Sequence, residues 1–204
     1  MTEINDTEYQ KHFWANNFGD EYADRNTQNL SEIEETFIDF FKTINRDARI
    51  LELGCNVGLK LQLLKKIGFL NLTGIEINRK AIEIAKKNNP DITFIHSSIE
   101  DYVSKGEIFD LVFTAGVLIH IHPSKLEYVV KKILSLSKKY IFGLEYYSDE
   151  IVEINYRGHS NVLWKQNFPL FYKKIFPTLQ IIKQKKLYIY ENPDLCDIAY
   201  LIKK

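Results

Sequence analysis

The run Ile50-Leu51-Glu52-Leu53-Gly54-Cys55-Asn56-Val57-Gly58 constrains this chain more than any other stretch. An apolar segment ends in two closely spaced glycines and passes into the helical spacing Leu59, Leu63, Leu64, Ile67. The pattern predicts a strand, a tight turn and a helix. Glycine allows positive φ and close approach of a ligand to bare backbone, and a helix start presents unpaired N–H groups. Gly54 and Gly58 are therefore placed for contact with a nucleotide-like cofactor.

The surrounding residues narrow the ligand. A dinucleotide fingerprint needs glycine at 56 and 59, where this chain has Asn56 and Leu59. Between Glu52 and Gly58 there is no lysine and no Gly-Lys-Ser/Thr run, so the counter-charge of a polyphosphate site is missing. A second acid, Glu76, ends the strand pattern Leu72 to Ile77, at about the 20-residue offset of a ribose-reading acid. A carboxylate there accepts both ribose hydroxyls and repels phosphate. These residues point to a phosphate-free cofactor that carries a ribose, the alternative being a strand-to-helix turn with no ligand.

Beyond the turn, strand and helix patterns alternate. Strands are predicted at Arg49 to Leu53, Leu72 to Ile77, Ile92 to His96, Phe109 to Thr114 and Tyr140 to Leu144; helices at Leu59 to Ile67, Arg79 to Asn88 and from Pro123. Such alternation implies an α/β fold, a parallel sheet with helices on both faces. Two late strand-like runs, Thr178 to Tyr190 and Cys196 to Ile202, predict a hairpin turning at Glu191-Asn192-Pro193-Asp194, so one strand runs antiparallel. Ser31 and Glu34 form a capping-box pattern before Ile33, Phe37, Phe40, Phe41 and Ile44. With 204 residues, 45% of them hydrophobic, one domain is expected. It divides into an N-terminal cover and helix (1–45), a cofactor-binding core (49–145), a substrate-side insertion (146–168) and a C-terminal hairpin (178–203).

Charge bounds the partners. The 27 basic and 27 acidic residues balance, so no net field recruits nucleic acid or an anionic membrane. No leader-like or spanning apolar segment is read, and a cytoplasmic location is expected. The two cysteines, Cys55 and Cys196, are read as free thiols.

Taken together, acid-x-Gly-x-x-x-Gly on a first strand with Glu76 on the next resembles the class I S-adenosylmethionine-dependent methyltransferases. The resemblance implies a Rossmann-like, doubly wound sheet of seven strands, mostly parallel with a C-terminal antiparallel hairpin strand. It implies S-adenosyl-L-methionine as cofactor, S-adenosyl-L-homocysteine as product and no metal. It further implies that Glu52, Gly54, Cys55, Asn56 and Gly58 hold the methionine part, that Glu76 and Ile77 lie at the ribose, and that Ser98 and Ile99 flank adenine. Many members have aspartate where Ser98 stands, and a serine hydroxyl bonds the adenine amino group more weakly. The backbone at Ala115, after the fourth strand, would run along the cofactor.

A narrower resemblance lies in Phe13-Trp14, Phe18-Gly19, Tyr22, Arg25-Asn26, the glycine turn and Tyr156-Arg157-Gly158-His159, which together are similar to the pseudaminic acid biosynthesis-associated methylases. That resemblance implies a small acceptor, sugar-like and anionic: an activated nonulosonic sugar, its precursor or an N-substituent. Trp14 is read as lying over the cofactor's sulfonium, since an aromatic face attracts a cation. Arg25, Arg157 and Lys165 suit a carboxylate or a phosphate, Arg25 being read with the cofactor. Tyr22, Tyr146, Tyr156, Arg157, Trp164 and Lys165 are read on the acceptor side, Tyr22 over the sulfonium or the acceptor. A hydroxyl or protonated amine acceptor requires a base, for which His120, Glu145 and His159 are candidates in that order. Each also has a structural role open to it: His120 bonding a carbonyl, Glu145 anchoring a loop, His159 on the surface. Other functions compatible with the same core are methyl transfer to another metabolite, a protein or a nucleic acid, and nucleotide binding without catalysis.

Overall fold

The computed structural model describes residues 6–26, 30–188 and 196–204. Two helices come first, α1 (Asp6–Ala15) and α2 (Asn17–Arg25), broken at Asn16, followed by α3 (Ser31–Phe41). The doubly wound core is β1 (Ile50–Leu53), α4 (Leu59–Lys66), β2 (Leu72–Glu76), α5 (Arg79–Asn88), β3 (Thr93–His96), β4 (Phe109–Ala115), a 3-10 turn (Leu118–His120), α6 (Pro123–Leu136) and β5 (Ser137–Tyr146). The chain continues through β6 (Val152–Glu153), β7 (Trp164–Lys165), α7 (Phe168–Ile175), β8 (Gln180–Leu187) and β9 (Asp197–Lys203).

Seven strands form one sheet in the order β3-β2-β1-β4-β5-β9-β8. The five core strands are parallel, and β9 runs antiparallel to both β5 and β8, so β9 is the reversed strand. Alternation along buried strands feeds two cores. Ile50 packs with Phe37, Phe41, Leu61, Leu64, Ile82 and Phe113 on one face. Leu51 and Leu53 pack with Leu126, Val129, Ile133, Phe168 and Tyr172 on the other. The strand order reverses between β1 and β4, which opens a crevice at their C-terminal ends.

Local signals decide the helix starts. Asn78 caps α5, its Oδ1 accepting from the Ala81 amide at 2.8 Å, and Pro123 sits in the first turn of α6. The helix expected after Ser31 forms, but Leu30 and not Ser31 holds the cap position and gives no side-chain cap, its carbonyl accepting the first backbone bonds from Ile33 and Glu34. The Glu34 carboxylate reaches Lys66 Nζ at 2.6 Å instead. Helix α7 was not read from the sequence, although Asn167-Phe168-Pro169 is a start signal whose Asn167 side chain accepts from the Leu170 amide at 3.2 Å. The expected hairpin turn at 191–194 lies outside the described residues. Among the described residues no helix is long and apolar enough to cross a membrane.

Candidate active site

A cleft of about 1010 Å³, part of it open to solvent, occupies the crevice. Its floor is the glycine turn. Gly54 has φ +71°, and a Cβ there would stand 2.6 Å from a Val117 methyl carbon. Asn56 also takes positive φ, +48°, which asparagine tolerates better than most residues. Gly54 and Asn56 line the cleft, whereas Cys55 and Gly58 do not. Cys55 is buried behind the turn against Gly74, and Gly58, at φ +82°, lies under the Phe94 ring, where a Cβ would come within 2.8 Å. These two residues shape the turn and do not face a ligand.

Of the two acids, Glu76 faces the cleft and Glu52 stands behind it. Glu76 is 8% exposed, and its two oxygens each accept one backbone amide, from Asn56 at 2.9 Å and from Asn78 at 2.8 Å. Burial pushes its carboxyl pKa up, and those amides, with that of Ile77, pull it back. Lone-pair capacity remains for a further donor. Glu52 is fully buried with neither oxygen hydrogen-bonded, and burial raises its pKa to about 8 against the pull of the Lys60 ammonium.

At the end of β3, Ser97, Ser98, Ile99 and Glu100 join Ile77 in the wall. The Ser98 hydroxyl donates to Asp101 Oδ2 at 2.6 Å and accepts the Asp101 amide at 3.0 Å. Asp101 in turn pairs with Lys11 at 2.9 Å, which ties α1 to this edge. One acceptor lone pair of Ser98 stays available. Ala115, Gly116 and Val117 form the opposite wall.

Helices α1 and α2 close the cleft from above with Gln10, Lys11, Trp14, Gly19, Tyr22 and, just past α2, Asn26. Asn78 Nδ2 anchors them, donating to Asp20 Oδ1 at 2.8 Å and to the Trp14 carbonyl at 3.3 Å. The Trp14 ring packs on His120 at 4.4 Å and on Tyr22 at 5.5 Å between centroids, and its indole N–H is buried with no partner.

The three candidate bases separate. His120 lines the cleft at the end of the 3-10 turn, with Nδ1 2.7 Å from the Val162 carbonyl. A carbonyl only accepts, so Nδ1 carries the proton and Nε2 keeps its lone pair. Burial lowers the imidazole pKa to about 4. Glu145 is 1% exposed and lies behind the wall, where Oε2 accepts the Val117 amide at 2.9 Å. Burial raises its pKa to about 7, against the Thr114 hydroxyl and the amides of residues 117–119. His159 packs edge-on against Phe13 at 5.0 Å and Phe18 at 5.5 Å, supporting the cover. His122 turns away from His120, its Nδ1 2.8 Å from Ser124 Oγ.

The residues expected around an anion stand back from the cleft lining. Arg25 stacks over Phe18 and Tyr22 at 5.1 and 5.4 Å, because α2 directs it along its own aromatic face. Tyr156 touches His120, 5.3 Å between centroids, and exposed Arg157 lies 5.9 Å from the Tyr156 ring. Trp164, 5% exposed, packs edge-on against His122; Lys165 is in the short ladder opposite Val152; Tyr146 packs against the second core. Gln10, Lys11, Lys60, Asn78 and Lys125 line the cleft but are not singled out in the sequence. Only Asn78, a cap residue just past Glu76, and Lys60, a cation in a helix's first turn, carried a local signal.

The strand order, the single reversed strand and the cleft above β1 and β4 decide the fold. It is the class I methyltransferase fold. A family described as a methyltransferase domain matches residues 50–139. Over 106 residues the chain is 33% identical to a ribosomal protein L11 methyltransferase of Thermotoga neapolitana, a match that takes in 47% of this chain and 39% of that protein. The chain thus spans about two fifths of that curated relative. The class I fold recurs in a 1,6-didemethyltoxoflavin-N1-methyltransferase of Burkholderia thailandensis with bound 1,6-didemethyltoxoflavin and S-adenosylhomocysteine. There the TM-score is 0.77 at 14% identity, covering 100% of this chain and 92% of that one. It recurs also in a magnesium protoporphyrin IX methyltransferase of Synechocystis PCC 6803 with bound SAM, with TM-score 0.73 at 14% identity, covering 100% and 99%.

Proposed function

We propose that this protein transfers a methyl group from S-adenosyl-L-methionine to a small polar acceptor. The observation that carries this reading is Glu76: a buried carboxylate facing the cleft, its oxygens steadied by the amides of Asn56, Asn78 and Ile77 with lone-pair capacity left for a further donor. That arrangement suits a ribose diol. The bare backbone at Gly54 and the orphaned Trp14 indole N–H fit the same cofactor. When bound, S-adenosylmethionine supplies an electrophilic methyl group on a sulfonium.

The chain's own residues then have distinct tasks. Glu76 accepts the ribose hydroxyls, and the remaining lone pair of Ser98 accepts the adenine amino group. Gly54, Asn56 and the segment from Ala115 to Val117 supply close backbone, and the Glu52 carboxyl behind the turn ionises in response to the cofactor's ammonium. The Trp14 face covers the sulfonium. His120, neutral and held with Nε2 unprotonated, takes the acceptor's proton. Trp14, Tyr22 and the cover exclude water, so that catalysis comes chiefly from positioning.

For the acceptor we infer an anionic, sugar-like molecule of the nonulosonic class. Two observations support it: the resemblance at the chain's aromatic segments, and the guanidinium groups of Arg25 and Arg157, which lie 5.4 Å from the Tyr22 ring and 5.9 Å from the Tyr156 ring at the cover. Titration calorimetry with S-adenosylmethionine, S-adenosylhomocysteine and NAD tests the cofactor. Binding of the first two alone is expected, and binding of neither removes the reading. Methyl transfer is then measured across nucleotide-linked nonulosonic sugars and their precursors. Turnover only on an unrelated acceptor replaces the sugar class.

A further inference from the structure

Lys60 is the second residue of α4, directly after the left-handed Gly58 cap, and it lines the cleft. The first turn of a helix is its positive end, where a cation is disfavoured. Among the described residues Lys60 makes no hydrogen bond or salt bridge. Behind the same turn lies the buried, unpartnered Glu52 carboxyl, whose ionised form the Lys60 ammonium favours. Of the other lysines of the cleft, Lys11 is paired with Asp101, and Lys125, also without a side-chain partner, is exposed on α6 away from the glycine turn. Arg25, the cation expected at an anionic group of the cofactor, is stacked on Phe18 and Tyr22 outside the lining.

The glycine turn is thus flanked by a buried, unpartnered carboxyl group behind it and an unpaired ammonium at the cleft wall. An α-amino acid carries the complementary pair, an ammonium and a carboxylate on one carbon. We infer that the Lys60 ammonium binds the carboxylate of the cofactor's methionine part, and that the adjacent ammonium draws the Glu52 carboxyl behind the turn into its ionised form. A charge-assisted bond to that carboxylate accounts for a cation held where the helix end opposes it. This inference rests on the cofactor reading above.

The test compares two ligands that differ by the carboxylate alone, S-adenosylmethionine and decarboxylated S-adenosylmethionine, titrated into wild type, Lys60→Met and Lys60→Arg. Wild type should prefer S-adenosylmethionine by about tenfold or more. Lys60→Met should reduce that preference to below about twofold while binding of the decarboxylated ligand changes little, and Lys60→Arg should keep the preference. An unchanged preference in Lys60→Met, or an equal loss for both ligands, overturns the inference and leaves the cofactor reading intact. Wild type binding neither ligand overturns both.

Discussion

The Asn56 amide donates to Glu76 Oε2 at 2.9 Å, so the turn that ends β1 holds the acid that ends β2. Two elements that meet only through the parallel register of these strands share one ligand-facing unit. Replacing Glu76 with alanine removes the diol acceptor and leaves the Asn56 and Asn78 amides without their partner. S-adenosylhomocysteine binding should weaken by about 2 to 3 kcal/mol, read by calorimetry. Unaltered affinity would discard the ribose assignment.

Glu52 sets a pH dependence of stability. Its folded pKa, about 8, lies above the unfolded value, so the native state binds more protons between roughly pH 4.5 and 8. Its contribution is complete below about pH 4.5 and is lost as pH rises through about 8. Glu52→Gln cannot ionise. The stability of this variant relative to wild type should therefore rise from pH 5 to pH 8.5, by an amount on the order of a few kcal/mol in urea melts. A pH-independent difference would refute the buried, unpaired state.

His120 has the opposite sign. Burial depresses its pKa to about 4, so protonation favours the unfolded chain and stability falls as pH drops from roughly 6.5 towards 4. His120→Ala should remove that acid-side slope. On a competent acceptor it should lower turnover by about 100-fold or more, with S-adenosylhomocysteine affinity nearly unchanged. Full turnover in the variant would exclude it as the base.

Asn78 joins the cofactor acid to the cover, since its backbone amide donates to Glu76 and its side chain donates to Asp20 and Trp14 while capping α5. Asn78→Asp keeps the cap acceptor but replaces the donor to Asp20 with a like charge. We expect faster amide hydrogen exchange in residues 6–26 and weaker cofactor binding, with α5 protected as in wild type. Alanine should additionally cost roughly 1 kcal/mol through the lost cap. Wild-type exchange in the aspartate variant would show that the cover is held elsewhere.

The strand, glycine turn, helix and second acid were legible because each depends on neighbours within a few residues: apolar spacing, positive φ and a strand-end carboxylate. The same locality explains the core strands, α4, α5 and the start of α6, all close to their expected bounds. The cap before α3 falls on Leu30 and not on Ser31, and the Glu34 carboxylate is drawn to Lys66, a partner distant in sequence. The aromatic segment before it concealed two short helices, since what fixes them is the packing of Phe13 and Trp14 on Phe18 and Tyr22 and ties to the distant Asn78, His120 and Asp101.

What only the folded chain decided is the direction in which each chemically capable side chain points. Composition marked Glu52, Glu145, Arg25 and Trp164 as readily as Glu76 and His120. Strand register and helix packing put the last two in the cleft and set the first four behind it or along its rim. Lys60 came forward for the same reason, being one helix turn from a motif that looked complete without it. Chain order is enough to specify a turn, because a turn is local. The membership of a site is a matter of distances between segments far apart in sequence, and those exist only once the sheet has brought β1, β2 and β4 together beneath α1 and α2.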